Sequence, residues 1–251
     1  MGLFDRTAKH LAAGPTLVLP ADRVDEVTEL VRRYDPGLLV KSDRFYFDNG
    51  VFLYGPVDTP VNGMVAYYAR PAALPKREER PEDAKLLDGE RLVRGLAVRV
   101  GGDKQGERPW ADLDLEVSVY AERPIPAEQV ISVLQPFAGT EDGQALTMDE
   151  QRDHEDSYIL LSEREPVFLT VFWGGYLSRS RVGTPPLALG PLRKAEPCRW
   201  QLRTTARAAT AEPALCRLVA GAGLALAAAT NGVVVDMFGF PVTTPEELLP
   251  A

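Results

Sequence analysis

The residues best equipped for chemistry are concentrated in one run, MDEQRDHEDS at 148–157. It sets His154 among the carboxylates of Asp149, Glu150, Asp153, Glu155 and Asp156. An imidazole beside carboxylates is the raw material of a divalent-metal site or of a tuned acid–base group. The spacing matches neither use. There is no HExxH pair, and no glycine of the kind that turns a calcium-binding loop. The run precedes an apolar stretch, where an acidic loop is also accounted for by solvation alone. No metal and no cofactor is therefore expected. The role that suits these residues best is an acidic contact surface for a partner protein, one that would steer a basic partner electrostatically.

Two further stretches invite a chemical reading. Gly101, Gly102, Lys104, Gly106 and Arg108 lie in VGGDKQGERPW, and glycines with a lysine can cradle phosphate. The run departs from GxxxxGK[ST], and no helix opens after it, so a plain turn is the better reading. The second stretch is the Gly/Pro-rich loop 174–197, where Arg179, Arg181, Arg193 and Lys194 follow Trp173 and Tyr176. Arginine and aromatic side chains dominate interface hot spots, which makes Trp173, Tyr176, Arg179 and Arg181 a second candidate contact surface. Nucleophilic catalysis lacks its parts. There is no GxSxG elbow, and the only histidines are His10 and His154. Cys198 and Cys216 stand in no CxxC and read as small buried hydrophobes in a reducing compartment.

These residues must be carried by a mixed architecture. Thr16–Leu19 reads as a strand. Val24, Val27, Val31 and Tyr34 give the next segment one apolar helical face, ended by Asp35-Pro36-Gly37. Arg44–Phe47, then Asp48-Asn49-Gly50, then Val51–Tyr54 is a hairpin pattern, because Asn-Gly supplies the positive φ angles of a tight turn. Met64–Ala69 makes a further strand. Later, Leu92–Val100 and Leu113–Ala121 read as strands, Pro126–Leu134 as a helix, and Tyr158–Ser162 and Val167–Trp173 as strands. The chain then runs through Cys198 to Asp236 as strand, helix and strand. Its helix is apolar nearly all round and is expected to be buried on most sides. The uninterrupted apolar run Leu218–Ala229 falls short of the roughly 20 residues a bilayer needs. Gly221 and Gly223 mark points of close approach, and Asn231-Gly232 is the stop.

The order strand–helix–strand–strand occurs twice. This predicts an α+β protein of two ferredoxin-like units, with mostly antiparallel sheets packed on the buried C-terminal helix. The Pro- and charge-rich segment 71–90 reads as the linker between a unit at 1–70 and a unit at 91–251. Composition narrows the function. The chain has 251 residues, 45% of them hydrophobic, and a net charge of −8. That balance disfavours nucleic acid and anionic membranes as partners, since both call for a basic face. The N-terminus carries no secretory or myristoylation pattern, so a cytoplasmic location is expected.

The segment LALAAATNGVVVD, Leu224–Asp236, resembles one met in bacterial toxin-immunity-type and uncharacterised α+β proteins: an Ala/Leu-rich helix, a T-[GN]-G stop and a short strand ending in Asp. The resemblance implies a protein that binds another protein rather than a catalyst, and it carries over no catalytic residue. The leading expectation is a non-enzymatic, immunity-like protein binder. The competing expectation is a small-molecule-binding protein or enzyme with a pocket between the two units near Trp173. A homodimer formed through the long helix or a sheet edge is a third.

Overall fold

The computed structural model describes residues 15–71, 82–105, 114–137, 157–160, 169–176 and 185–248. The chain is α+β, and every strand pairing among the described residues is antiparallel. It divides into two compact units, Met1–Arg108 and Pro109–Ala251.

In the first unit β1 (Thr16–Pro20) leads through a short 3-10 turn into α1 (Val24–Tyr34). Val27, Val31 and Tyr34 form the buried stripe of α1, as their spacing of three and four requires. There follow β2 (Leu39–Lys41), β3 (Arg44–Tyr46), β4 (Val51–Asp58) and β5 (Met64–Pro71). The short strand β2 was not marked by the sequence pattern. The unit closes with α2 (Glu82–Val100) and β6 (Asp103–Gln105). The sheet runs β2-β3-β4-β5-β1-β6.

Helix α2 corrects the expectation of a strand at Leu92–Val100. Leu92, Leu96 and Val100 recur every four residues, Val93 and Ala97 do the same, and all five are buried. A run this apolar satisfies strand and helix patterns alike, so the periodicity alone did not decide it. Gly89 lets α2 approach the sheet closely, since a Cβ there would lie 3.3 Å from the Cβ of Ala69. The Pro- and charge-rich segment thus runs into a core helix of the first unit, and the chain divides after Arg108. The first sheet has its own covering helix in α2.

The second unit comprises β7 (Asp114–Ala121), α3 (Ala127–Leu134), β8 (Ser157–Leu160), β9 (Leu169–Tyr176), β10 (Cys198–Arg207), α4 (Pro213–Thr230) and β11 (Val233–Asp236). Its sheet runs β11-β7-β10-β9-β8. Leu115, Val117 and Val119 of β7 alternate inward to a core shared with Trp200, Leu202, Cys216, Val219 and Leu226. Pro213 stands in the first turn of α4, and Asn231 ends it in the left-handed conformation at φ 51°. Gly223 is a point of close approach: a Cβ there would lie 2.9 Å from Val117 and 3.3 Å from Val234.

Helix α4 is less enclosed than its composition implied. Its 18 residues are long and apolar enough to cross a membrane by length and composition alone. Cys216, Val219, Ala220, Ala222 and Leu226 are buried in the core, while Arg217, Leu218 and Ala228 are exposed. It is a core helix with one open side.

Strand order is shared by the two units. In the first, β4-β5-β1-β6 are neighbours, with α1 following β1 and α2 following β5. In the second, β9-β10-β7-β11 are neighbours, with α3 following β7 and α4 following β10. Each unit adds strands beyond its edge, β3 and β2 in the first and β8 in the second.

Candidate partner-binding face

The described side chains with the most evident capacity for recognition lie on the first sheet, on the face away from α2. Residues alternate across a strand, so the register assigns them. Leu53 pairs with Ala69 and Phe45 with Leu53, and Ala69 meets Gly89 of α2. The opposite phase carries Tyr46 against Phe52, Arg44 against Tyr54, and Tyr54 against Tyr68. Strand β2 extends it, with Leu39 against Tyr46 and Lys41 against Arg44.

Rings and cations alternate along this face. The Lys41 ammonium lies 5.9 Å from the Tyr46 ring, and the Tyr46 and Phe52 rings are 5.8 Å apart. The Arg44 guanidinium lies 5.8 Å from the Phe52 ring and 5.6 Å from that of Tyr54. Tyr54 stacks on Tyr68 at 6.0 Å, and Arg70 lies 5.9 Å from the Tyr68 ring. Each cation–ring contact at an exposed site stabilises by about 0.5–1 kcal/mol. The contacts also hold long side chains in place, which lowers the entropy lost when something binds.

Electrostatics on the face lean positive. Lys41 and Arg44 are exposed. Among the described residues, the acid within ion-pair distance of Arg44 is Asp43, at 3.9 Å. A hydrogen bond to Tyr46 raises the Arg44 pKa, so its charge is fixed. Burial, and secondarily the negative charge of Asp43, raise the Tyr54 pKa, which keeps its hydroxyl protonated. Burial also lowers the Arg70 pKa at the far end of the row. The face is graded in access. Tyr68 is buried, as are Thr16 and Ala66, whereas Leu39 and Val40 at the β2 edge are 62% and 50% exposed. The accessible part therefore lies over β2, β3 and β4.

The hairpin carrying these groups is pinned from beneath. The Asp35 carboxylate, at the end of α1, accepts the N–H of Gly37 at 2.8 Å and that of Asp48 at 2.9 Å. The ring of Phe47 meets Tyr34 edge-on at 5.6 Å. Asn49 donates to Asp88 of α2 at 3.3 Å, and its side-chain oxygen accepts the N–H of Val51. At the other end, the N–H of Gly55 donates to the carbonyl of Asp43 in the β2–β3 turn. Gly55 has φ 143°, and a Cβ there would lie 2.6 Å from the Ala66 carbonyl oxygen, so only glycine fits the bulge in β4.

The corresponding face of the second unit has a different character. Asp114 is paired with both Arg203 and Arg207, and Gln201 donates to Glu116 at 2.6 Å. Leu189, from the 3-10 segment Leu187–Lys194, packs over Tyr120 and Val235. Among the described side chains there, Asp114, Glu116, Gln201, Arg203 and Arg207 are matched with one another.

Of the residues singled out by sequence, Asp149, Glu150, Asp153, His154, Glu155, Asp156, Arg179 and Arg181 lie outside the described residues, as does His10. Trp173 and Tyr176 belong to β9, where Trp173 pairs with Trp200 and Tyr176 with Cys198. Arg193 donates to the Pro185 carbonyl at 3.1 Å. Both cysteines are free and buried. Burial pushes the Cys198 thiol up to about 11 and raises that of Cys216, which suppresses the reactive thiolate. Among the described residues, no three histidine, cysteine or acidic side chains come together as a metal site.

The aromatic face escaped the sequence reading, although its signal was present. In RFYF the aromatic residues occupy both alternation phases, and in VFLY rings and aliphatic residues take opposite phases, so a sheet covered by a helix on its aliphatic side must present rings on the other. Comparison with protein-family models, curated proteins and solved structures gives no match for this chain.

Proposed function

We propose that this is a non-enzymatic protein-binding chain built from two ferredoxin-like units. The architectural part of this reading is supported by strand order. Taking β1, α1, β4, β5, α2 and β6 as a β-α-β-β-α-β series gives the spatial order fourth-first-third-second, and β7, α3, β9, β10, α4 and β11 give the same. The observation that carries the functional part is the accessible row of Lys41, Tyr46, Phe52, Arg44 and Tyr54 on the first sheet. Tyrosine, phenylalanine and arginine held in mutual contact are the composition of an interface centre, not of a sheet face adapted to water alone. The immunity-like part rests on the helix–TNG–VVVD segment and its resemblance.

The test is affinity capture of the tagged chain from its native lysate at low and high salt, beside a Tyr54→Ala variant. The reading expects a stoichiometric protein that Tyr54→Ala retains at least about tenfold less well, the cost of losing one interface anchor. Equal retention by both chains, or capture of none, would count against it.

A further inference from the structure

Resting on the protein-binding reading, the geometry points to the chemistry of the partner. We infer that the face over β2, β3 and β4 takes an acidic polypeptide segment, with carboxylates placed over Lys41 and Arg44 and an apolar side chain set against Leu39, Tyr46 and Phe52. Charge is the first argument. The chain carries 36 acidic and 28 basic residues, yet among the described residues no carboxylate lies within ion-pair distance of Lys41. Arg44 has only Asp43, at 3.9 Å. On the second sheet the arginines Arg203 and Arg207 are both matched by Asp114, whereas Lys41 has no such partner among the described residues and Arg44 has one at the limit of ion-pair distance.

Geometry supplies the second argument. Each of these cations lies beside a ring, Lys41 with Tyr46 and Arg44 with Phe52 and Tyr54. A ring neighbour fixes the position of a cation without consuming its charge, so the charge remains for an incoming carboxylate. Leu39, 62% exposed, sits in register with Tyr46 and adds an apolar border at the sheet edge. A nucleic acid fits less well. Two cations with Asp43 between them give little neutralisation of a phosphate backbone on a chain of net charge −8.

The test is panning of a random 12-residue display library on the full chain. Recovered peptides are then measured by fluorescence anisotropy against wild type, a Lys41→Glu/Arg44→Glu variant and a Tyr54→Ala variant. The charge reversals fall on exposed side chains, so the fold tolerates them. The expected result is enrichment of aspartate- and glutamate-bearing peptides that lose at least about tenfold in affinity on charge reversal. Replacing their acids by lysine should restore binding to the reversed variant. Peptides that need Tyr54 but are neutral or basic would overturn the acidic assignment and leave the protein-binding reading standing. Recovery of no peptide, or of peptides indifferent to both variants, would overturn both. A single-stranded oligonucleotide that binds the same face more tightly than any recovered peptide would also overturn both.

Discussion

Tyr67 shows how sharply one residue can be constrained here. It pairs with Leu17 in the register, is fully buried, and its hydroxyl has no hydrogen-bond partner among the described residues. Burial, reinforced by the negative charge of Asp25, pushes its pKa up to about 12. A folded-state value above the unfolded one means that the unfolded chain loses this proton first. The contribution is therefore fully present below pH 10 and is lost as pH rises towards about 12, by up to about 3 kcal/mol. Tyr67→Phe removes the unsatisfied hydroxyl. It is expected to raise stability at neutral pH by about 1 kcal/mol and to flatten the alkaline decline, as measured by urea unfolding across that range. Gly55→Ala tests the opposite case. Its Cβ would meet a main-chain carbonyl that cannot swing aside, so a loss of about 2 kcal/mol or more is expected in the same unfolding assay.

At the scale of elements, helix α4 separates two glycines that the sequence treats alike. An alanine Cβ at Gly223 would press on Val117 at 2.9 Å and on Val234 at 3.3 Å, both held in the sheet core. At Gly221 the nearest atom is the edge of the Phe137 ring at 3.1 Å, in a side chain only partly buried. Alanine gains about 1 kcal/mol of helix propensity at either site. Gly223→Ala should therefore be net destabilising by about 1–3 kcal/mol, and Gly221→Ala close to neutral, in thermal or chemical denaturation. Much of α4 and its surroundings was legible in sequence: Pro213 at its start, Asn231 at its stop, the close approach of Gly223, and the alternation in β7. Helix α2 was not. Its apolar residues fit either period, and what settles the matter is tertiary, the burial of Leu92, Leu96 and Val100 in the first unit. The aromatic face was missed for a related reason. Alternation identifies a strand, but only the sheet order tells which phase a helix covers. The acidic run 149–156 drew attention through residue type, and types alone do not fix geometry.

For the whole molecule, the division at Arg108 and the repeated strand order make each unit a candidate for independent folding. A fragment comprising residues 1–108 should give a dispersed amide NMR spectrum and a cooperative unfolding transition. A collapsed spectrum would show that its core needs the rest of the chain. The two sheets share a strand order and differ in what the described side chains of their outer faces present, ion pairs among Asp114, Arg203 and Arg207 in one and cations set beside aromatic rings in the other. The proposed recognition surface belongs to the first unit. The direct measurement is hydrogen exchange on the full chain, free and with its captured partner. The account predicts slowed exchange of amides in residues 39–54 on binding. Protection confined to residues 149–156 or 169–181, with 39–54 unchanged, would contradict it.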